Sequence, residues 1–180
     1  MRLVILDRDG VINEDSDEFI KSVAEWRPLP GSLEAIARLT QAHVHVVVVT
    51  NQSGISRGLF DVDTLHQIHA LMQRELAQWG GRIDAIYYCP HGPDDDCNCR
   101  KPRAGMFRDL AKRLQMDLTD VAAIGDSLRD LQAAQTVKAR PILVRTGKGR
   151  RTEEQGEGLV GVEVFDDLSA AVDQLLSEMA

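Results

Sequence analysis

Short apolar runs alternate along this chain with longer segments in which apolar residues recur every three or four positions. The runs at Leu3–Leu6, His45–Val49, Ala85–Tyr88, Val121–Ile124, Ile142–Val144 and Val162–Phe165 predict strands. Several are apolar on successive residues. Successive side chains of a strand point to opposite faces, so such runs are expected where both faces are buried. The intervening segments carry a helical period. In "PGSLEAIARLTQA", Ser32 is a candidate N-cap, and Leu33, Ile36, Ala37 and Leu39 share a face. In "DVDTLHQIHALMQRELAQWG" the repeat is Leu65, Ile68, Leu71, Met72 and Leu76. Further helices are expected over Gly105–Leu114, Leu128–Thr136 and Leu168–Met179. The Gly-rich polar stretch 147–158 reads as a mobile surface loop. Helices alternating with buried strands predict an α/β fold, a three-layer, doubly wound, mostly parallel sheet. No segment is long enough to form a separate cap, so one domain over residues 1–180 is expected.

Composition narrows the class. The chain has 180 residues, 43% hydrophobic and 27% charged, with a net charge of −7. That balance is ordinary for a globular protein and argues against nucleic acid or an anionic membrane as partner. Neither a secretory leader nor a membrane span is evident, and a cytoplasmic location and a monomer are expected.

In an open parallel sheet, ligands bind beyond the carboxyl ends of the strands. The first predicted strand ends in "LDRDG", which places Asp7 and Asp9 there. The second ends in "TNQSG", with the short donors Thr50, Asn51 and Ser53. The third leads to Arg100 and Lys101, and the fourth ends in "GDSLRD", with Asp126 and Asp130. The contrasting reading of Asp130 is a charge complementing the N-terminus of the next helix. Carboxylates gathered at one edge with cations and hydroxyls suit a hard, oxygen-liganded cation such as Mg²⁺ and an anionic phosphate ester. The constellation points to phosphoryl transfer.

All three cysteines, Cys89, Cys97 and Cys99, lie in "CPHGPDDDCNC" with His91. Three thiolates and an imidazole complete a tetrahedral Zn²⁺ site and leave no position for water. The expected zinc is therefore structural. Its task would be to hold Arg100 and Lys101 in place, since a free loop would lose much entropy in ordering two cations.

"DRDG", "TNQSG", the Lys101 segment and "GDSLRD" resemble, in order, the four motifs of the haloacid dehalogenase-like phosphohydrolases. The zinc loop is similar to that of their cap-less, zinc-containing branch, which acts on sugar bisphosphates and on histidinol phosphate. The resemblance implies a Rossmann-like fold and Asp7 as a nucleophile that forms an aspartyl-phosphate. It implies Asp9 as general acid and base, and Thr50 and Lys101 as holders of the phosphoryl group. Mg²⁺ would be bound by Asp7, the Asp9 backbone carbonyl and Asp126. Substrate contacts would fall to Asp15, Ser16, Asp17, Glu18, Thr50, Asn51, Gln52, Ser53, Arg100 and Lys101. "SGISRG" sits nearer the sugar-bisphosphate type, where Arg57 and Arg100 would meet a second phosphate. The carboxylates Asp15, Asp17 and Glu18 would suit the amine of histidinol phosphate instead. Ser127 stands where some members carry Lys. A non-catalytic zinc-bearing binding module is the contrasting expectation. Bound phosphate and the Asp7 charge are expected to raise the Asp9 carboxyl, with Mg²⁺ opposing them.

Overall fold

A computed structural model describes residues 2–180. Six strands run β1 (Leu3–Leu6), β2 (His45–Asn51), β3 (Ala85–Cys89), β4 (Ala122–Gly125), β5 (Arg140–Val144) and β6 (Glu163–Phe165). All five pairings are parallel, in the order β3-β2-β1-β4-β5-β6. The helices are α1 (Ser32–Gln41), α2 (Val62–Gln78), α3 (Gly105–Leu114), α4 (Leu128–Thr136), α5 (Gly149–Gln155) and α6 (Leu168–Met179).

The unbroken apolar strands are buried on both faces. Val4, Leu6, Val46 and Val48 pack with Ile36 and Leu39 of α1, Ile68 and Met72 of α2, and Val172 of α6. The alternate residues Leu3, Ile5, Val47 and Val49 pack with Phe107 and Leu110 of α3 and Ala133 and Ala134 of α4. The sheet is thus sandwiched between two helical layers, as the strand–helix alternation predicts. Strand order reverses at β1, which lies between β2 and β4. Loops leaving β1 and β4 diverge there and open a crevice.

Two expectations are corrected. Ser32 is not the N-cap of α1; that position is Gly31, at φ 78°. The Ser32 hydroxyl instead donates to the Val11 carbonyl at 2.8 Å, tying the helix start to the segment after β1. Residues 147–158 are not simply a surface loop. They contain α5, in which Gly149 and Thr152 are buried. Thr152 Oγ1 donates to the Asp126 carbonyl at 2.9 Å, an anchor far along the chain that a local polar pattern does not show. Strand limits also shift: β2 and β3 run further than their apolar cores, and β5 begins earlier, through Pro141. Proline is tolerated there because β6 pairs with β5 only from Ile142 onward. Among the described residues, no helix is long and apolar enough to cross a membrane.

Candidate active site

The crevice at the reversal collects Asp7, Asp9, Thr50, Lys101, Asp126 and Asp130 in one pocket. Asp7 follows β1 directly, and its N–H donates to the Ile124 carbonyl of β4 at 2.9 Å. Lys101, 2% exposed, places Nζ 3.0 Å from Asp7 Oδ1 and 2.7 Å from Asp130 Oδ1. Nζ also donates to the Val49 carbonyl at 2.7 Å. An ammonium has three donors, and all three are engaged. Burial works against charge on Lys101, but Asp130 and Asp7 outweigh it and raise its pKa.

Asp130 is an internal brace. Its Oδ2 accepts from Ser127 N at 3.0 Å, Ser127 Oγ at 2.7 Å and Asp126 N at 3.2 Å. Burial opposes its ionisation, yet Lys101 and these donors hold its carboxyl below the ordinary value. Both of its oxygens are therefore committed. Asp7 and Asp126 differ. Burial, then Asp130, push Asp7 up to about 7, with Lys101 opposing. Burial, then Asp130 and Asp7, raise Asp126 well above its usual range. Carboxylate oxygens of Asp7, Asp126 and Asp130 lie within 4.8 Å of one another. Three acids face one ammonium, so a hard dication fits the charge left over. Two glycines make room for this arrangement. A Cβ on Gly10 (φ +83°) would lie 2.0 Å from Asp126 Oδ2, and one on Gly147 (φ +55°) would lie 2.2 Å from it. Asp126 Oδ2 also accepts from the Lys148 N–H at 2.8 Å, and Thr146 Oγ1 donates to the Gly10 carbonyl at 2.7 Å.

Asp9 departs from expectation. Burial alone would raise its carboxyl, but the Arg8 guanidinium, with hydrogen bonds from Asn13, Arg8 and Gln52, lowers it. The expected upward pull came from Asp7 and a bound phosphate. In the protein alone, the adjacent Arg8 and these hydrogen bonds together outweigh burial, and Arg8 is a residue the sequence did not single out.

The strand-two residues divide. Thr50, Asn51 and Ser53 line the pocket. Asn51 nevertheless spends its amide on Lys101: Lys101 N donates to Oδ1 at 2.9 Å, and Nδ2 donates to the Lys101 carbonyl at 3.1 Å. Gln52 is buried, and its Nε2 donates to Asp9 Oδ2 at 3.2 Å and Thr50 Oγ1 at 2.9 Å. Asp15, Ser16, Asp17, Arg57 and Arg100 line the pocket; Glu18 is exposed and does not. Lys148 Nζ lies 3.3 Å from Asp15 Oδ2, and Arg57 lies 5.4 Å from the Phe19 ring centroid. Arg129 and Lys148 also line the pocket and were not singled out from sequence. Arg129 sits inside "GDSLRD", where the aspartates draw the eye; Lys148 falls in the stretch expected to be a mobile loop.

Beyond the tip of β3, the donor atoms of Cys89, His91, Cys97 and Cys99 lie within 4.8 Å of one another. Cys89 Sγ is 3.9 Å from Cys97 Sγ, and His91 Nδ1 is 3.2 Å from Cys99 Sγ. A tetrahedron with Zn–S bonds of about 2.3 Å has edges close to the first of these, while Cys99 Sγ and Cys89 Sγ, at 2.9 Å, lie closer together than such an edge. The donor set fits zinc. Burial opposes ionisation of Cys97, but the N–H groups of Arg100 and Cys99 bring it down to about 7. The cluster abuts Arg100 and Lys101, as its spacing predicts.

Fold and site together define a haloacid dehalogenase-like hydrolase. The HAD-hydrolase-like family model matches residues 98–171. A protein of Bordetella bronchiseptica named D-glycero-beta-D-manno-heptose-1,7-bisphosphate 7-phosphatase is 61% identical over 99% of each chain. One of the same name from Pseudomonas aeruginosa is 52% identical over 97% of each. The crystal structure of the Bordetella D,D-heptose 1,7-bisphosphate phosphatase, complexed with magnesium and phosphate, superposes with a TM-score of 0.97 over 99% of each chain. The corresponding Burkholderia thailandensis phosphatase, 47% identical, gives 0.78 over 98% of this chain and 99% of that one. The chain belongs to the D-glycero-beta-D-manno-heptose-1,7-bisphosphate 7-phosphatase family of these hydrolases.

Proposed function

We propose that this chain is a magnesium-dependent phosphatase that removes the 7-phosphate of D-glycero-beta-D-manno-heptose 1,7-bisphosphate. The beta anomer, which the sequence leaves open, follows the shared name of its relatives. The observation that carries the reading is the pocket itself. It joins a complete acid–lysine set to a cationic rim of Arg57, Arg100 and Arg129. Burial, then Arg129 and, more weakly, Arg57 lower the Arg100 pKa, against the opposing pull of Cys89 and Cys97, so Arg100 sits in a field of like charge from the other two guanidinium groups. A second phosphate relieves that repulsion; an ammonium tail would add to it. Asp15 and Asp17 in the same pocket favour histidinol phosphate as the second reading, but Asp15 is already matched by Lys148.

In this reading Asp7 attacks phosphorus, the bond to the leaving oxygen breaks, and Asp9 gives that oxygen its proton. Asp9 then takes a proton from the water that attacks the aspartyl-phosphate, and the bond to Asp7 breaks. Thr50 holds a phosphoryl oxygen, and Lys101 orients Asp7 and balances its charge. Bound by the Asp7 and Asp126 carboxylates and the Asp9 carbonyl, magnesium would offset repulsion between anionic nucleophile and anionic ester. Zinc on Cys89, His91, Cys97 and Cys99 would be structural, since four protein ligands leave no open position. The same reading takes residues 1–180 as one domain, acting as a monomer in the cytoplasm, where thiols stay reduced for metal.

Phosphate release with Mg²⁺ tests this. The heptose bisphosphate should exceed histidinol phosphate in kcat/KM by at least about tenfold. Asp7→Asn should leave no measurable turnover, and Asp9→Asn should lose about 10²–10⁴-fold. Wild-type rates in either folded variant, or preference for histidinol phosphate, would overturn the corresponding assignment. No phosphate release from any ester would favour a binding module.

A further inference from the structure

The two oxygens of Asp9 are treated unequally. Oδ1 accepts from Arg8 Nε at 2.9 Å, Arg8 Nη2 at 2.7 Å and Asn13 Nδ2 at 2.9 Å. Oδ2 accepts only from Gln52 Nε2, at 3.2 Å, among the described residues. A carboxylate oxygen has two lone pairs, so Oδ1 is fully occupied and Oδ2 is not. Arg8, 0% exposed, is pinned from its other edge as well. Its Nη1 lies 3.1 Å from Nε2 of His69, a buried residue of α2. Guanidinium can only donate, so this His69 nitrogen accepts and the ring carries its proton on Nδ1. Burial, then the Arg8 charge, push His69 down to about 3, so it remains a neutral acceptor. The reaction as written needs one Asp9 oxygen and assigns neither Arg8 nor His69 a task. Leaving a buried guanidinium half-paired would be costly, and here the Asp9 carboxylate and the His69 ring share its pairing.

We infer that Arg8 and His69 are positioning residues that hold Asp9 Oδ1 fixed, so that Oδ2 is the oxygen that exchanges protons with substrate and water. In the first step the proton leaves Oδ2 for the departing sugar oxygen as the P–O bond to that oxygen breaks. In the second, Oδ2 receives a proton from the attacking water as the bond from phosphorus to Asp7 breaks. His69 acts one contact removed: it fixes Arg8, Arg8 fixes Oδ1, and Oδ2 is thereby aimed. The inference rests on the acid–base role of Asp9 proposed above.

The test compares leaving groups. A sugar alkoxide must be protonated as it departs, whereas p-nitrophenolate leaves unaided. In His69→Leu, kcat on the heptose bisphosphate should fall about tenfold with KM little changed. The stopped-flow burst of nitrophenolate from p-nitrophenyl phosphate should change less than about twofold. Arg8→Lys, which loses the fork, should show the same selectivity with a loss of about 100-fold. His69→Gln returns an acceptor to Arg8 and should recover most of the sugar-phosphate rate. If His69→Leu does not fold, Arg8→Lys set against His69→Gln makes the same comparison. Equal losses on both esters, or no loss on the sugar phosphate, would overturn the inference. Asp9→Asn is run alongside. Retained sugar-phosphate turnover in that variant would sink the acid–base reading itself. An inactive Asp9→Asn beside an unselective His69→Leu and Arg8→Lys would sink only the bracing role.

Discussion

The carboxylate cluster and the thiolate–imidazole cluster sit at strand tips on the same edge of the sheet but are held in opposite ways. The carboxylates arrive on the separate strands β1 and β4, and protein groups fix each one: Lys101 on Asp7, Lys148 N–H on Asp126, Ser127 and Lys101 on Asp130. The thiolates and imidazole come from the last residue of β3 and the loop that follows it, and they lie in polar contact with one another. The first site exists because the sheet brings it together, with or without an ion. In the second the sheet anchors Cys89 alone, and the other three donors are placed by the segment that follows it. Metal removal should therefore cost the first site its chemistry and the second its geometry.

The comparison breaks most sharply where space is tightest. Gly10→Ala would drive a methyl to 2.0 Å from Asp126 Oδ2 at a φ of +83°. Asp126 must move, and displacement of a positioning group by about 1 Å can cost 10²-fold, so kcat/KM should fall at least that far. Gly147→Ala presses on the same oxygen and should behave alike. Excess Mg²⁺ should rescue neither variant, because the ligand rather than the ion is displaced. Full rescue would show that the carboxylate site is as pliable as the zinc loop.

The zinc side should respond more gently. Cys99→Ser, or stripping of zinc, should raise KM and lower kcat, together about tenfold, as Arg100 loses its place. Lys101 should be partly protected by the two Asn51 hydrogen bonds to its backbone. Asn51→Ala combined with Cys99→Ser should therefore lose more than the two separate losses predict, beyond about 0.5 kcal/mol of coupling. Simple additivity in kcat/KM would show that clamp and zinc act on different parts of the loop. Zinc-free protein with both parameters unchanged would remove the loop's proposed role altogether.

These two sites also differ in how far sequence discloses them. The thiolate cluster is local, so spacing alone identifies it. Strands β1 and β2 are legible for a similar reason, because burial on both faces leaves no polar residue to interrupt the run. The carboxylate cluster is legible only as a set of strand tips, since each acid looks like a turn residue by itself. What holds the acids is not legible at all. Arg8 stands unremarked between two aspartates, although its charge, with nearby hydrogen bonds, lowers the Asp9 carboxyl. Asn51 reads as a substrate contact, although its amide is used on Lys101. The helix α5 is polar and lies between glycines, and its anchor is the Thr152 bond to the Asp126 carbonyl at the tip of the adjacent strand β4. Asn51 and Thr152 depend on partners distant in sequence, and Arg8, though adjacent to Asp9, is held by the distant His69, which no local pattern encodes.

A smaller effect follows from charge. The Asp7 carboxyl is raised from 3.8 to about 7, chiefly by burial. A raised acid favours the folded state at low pH, where both states are protonated; as pH climbs past 3.8 the unfolded state gains by releasing its proton while the folded one still holds it. That contribution is lost as pH rises from the unfolded value towards the folded one. Chelated protein should therefore lose a few degrees of Tm between about pH 5 and pH 7, and apparent Mg²⁺ affinity should rise over the same interval as protons are released. A flat Tm in chelator across this range, with pH-independent Mg²⁺ binding, would show that Asp7 is already ionised without metal.

The smallest effect should come from Lys148, and it separates backbone from side chain within one residue. Its N–H braces Asp126, while its Nζ pairs with Asp15 across the pocket mouth. The side chain is 38% exposed, and such surface pairs contribute about 0–1 kcal/mol. Lys148→Ala keeps the N–H, so thermal stability and kcat should stay close to wild type, while KM for the bisphosphate rises only a few-fold through loss of one cation at the rim. A collapse of kcat instead would mean that the Lys148 side chain, and not its backbone, maintains the carboxylate site. The site would then depend on exposed parts in the way the zinc loop does, and the contrast between the two clusters would fail at its weakest joint.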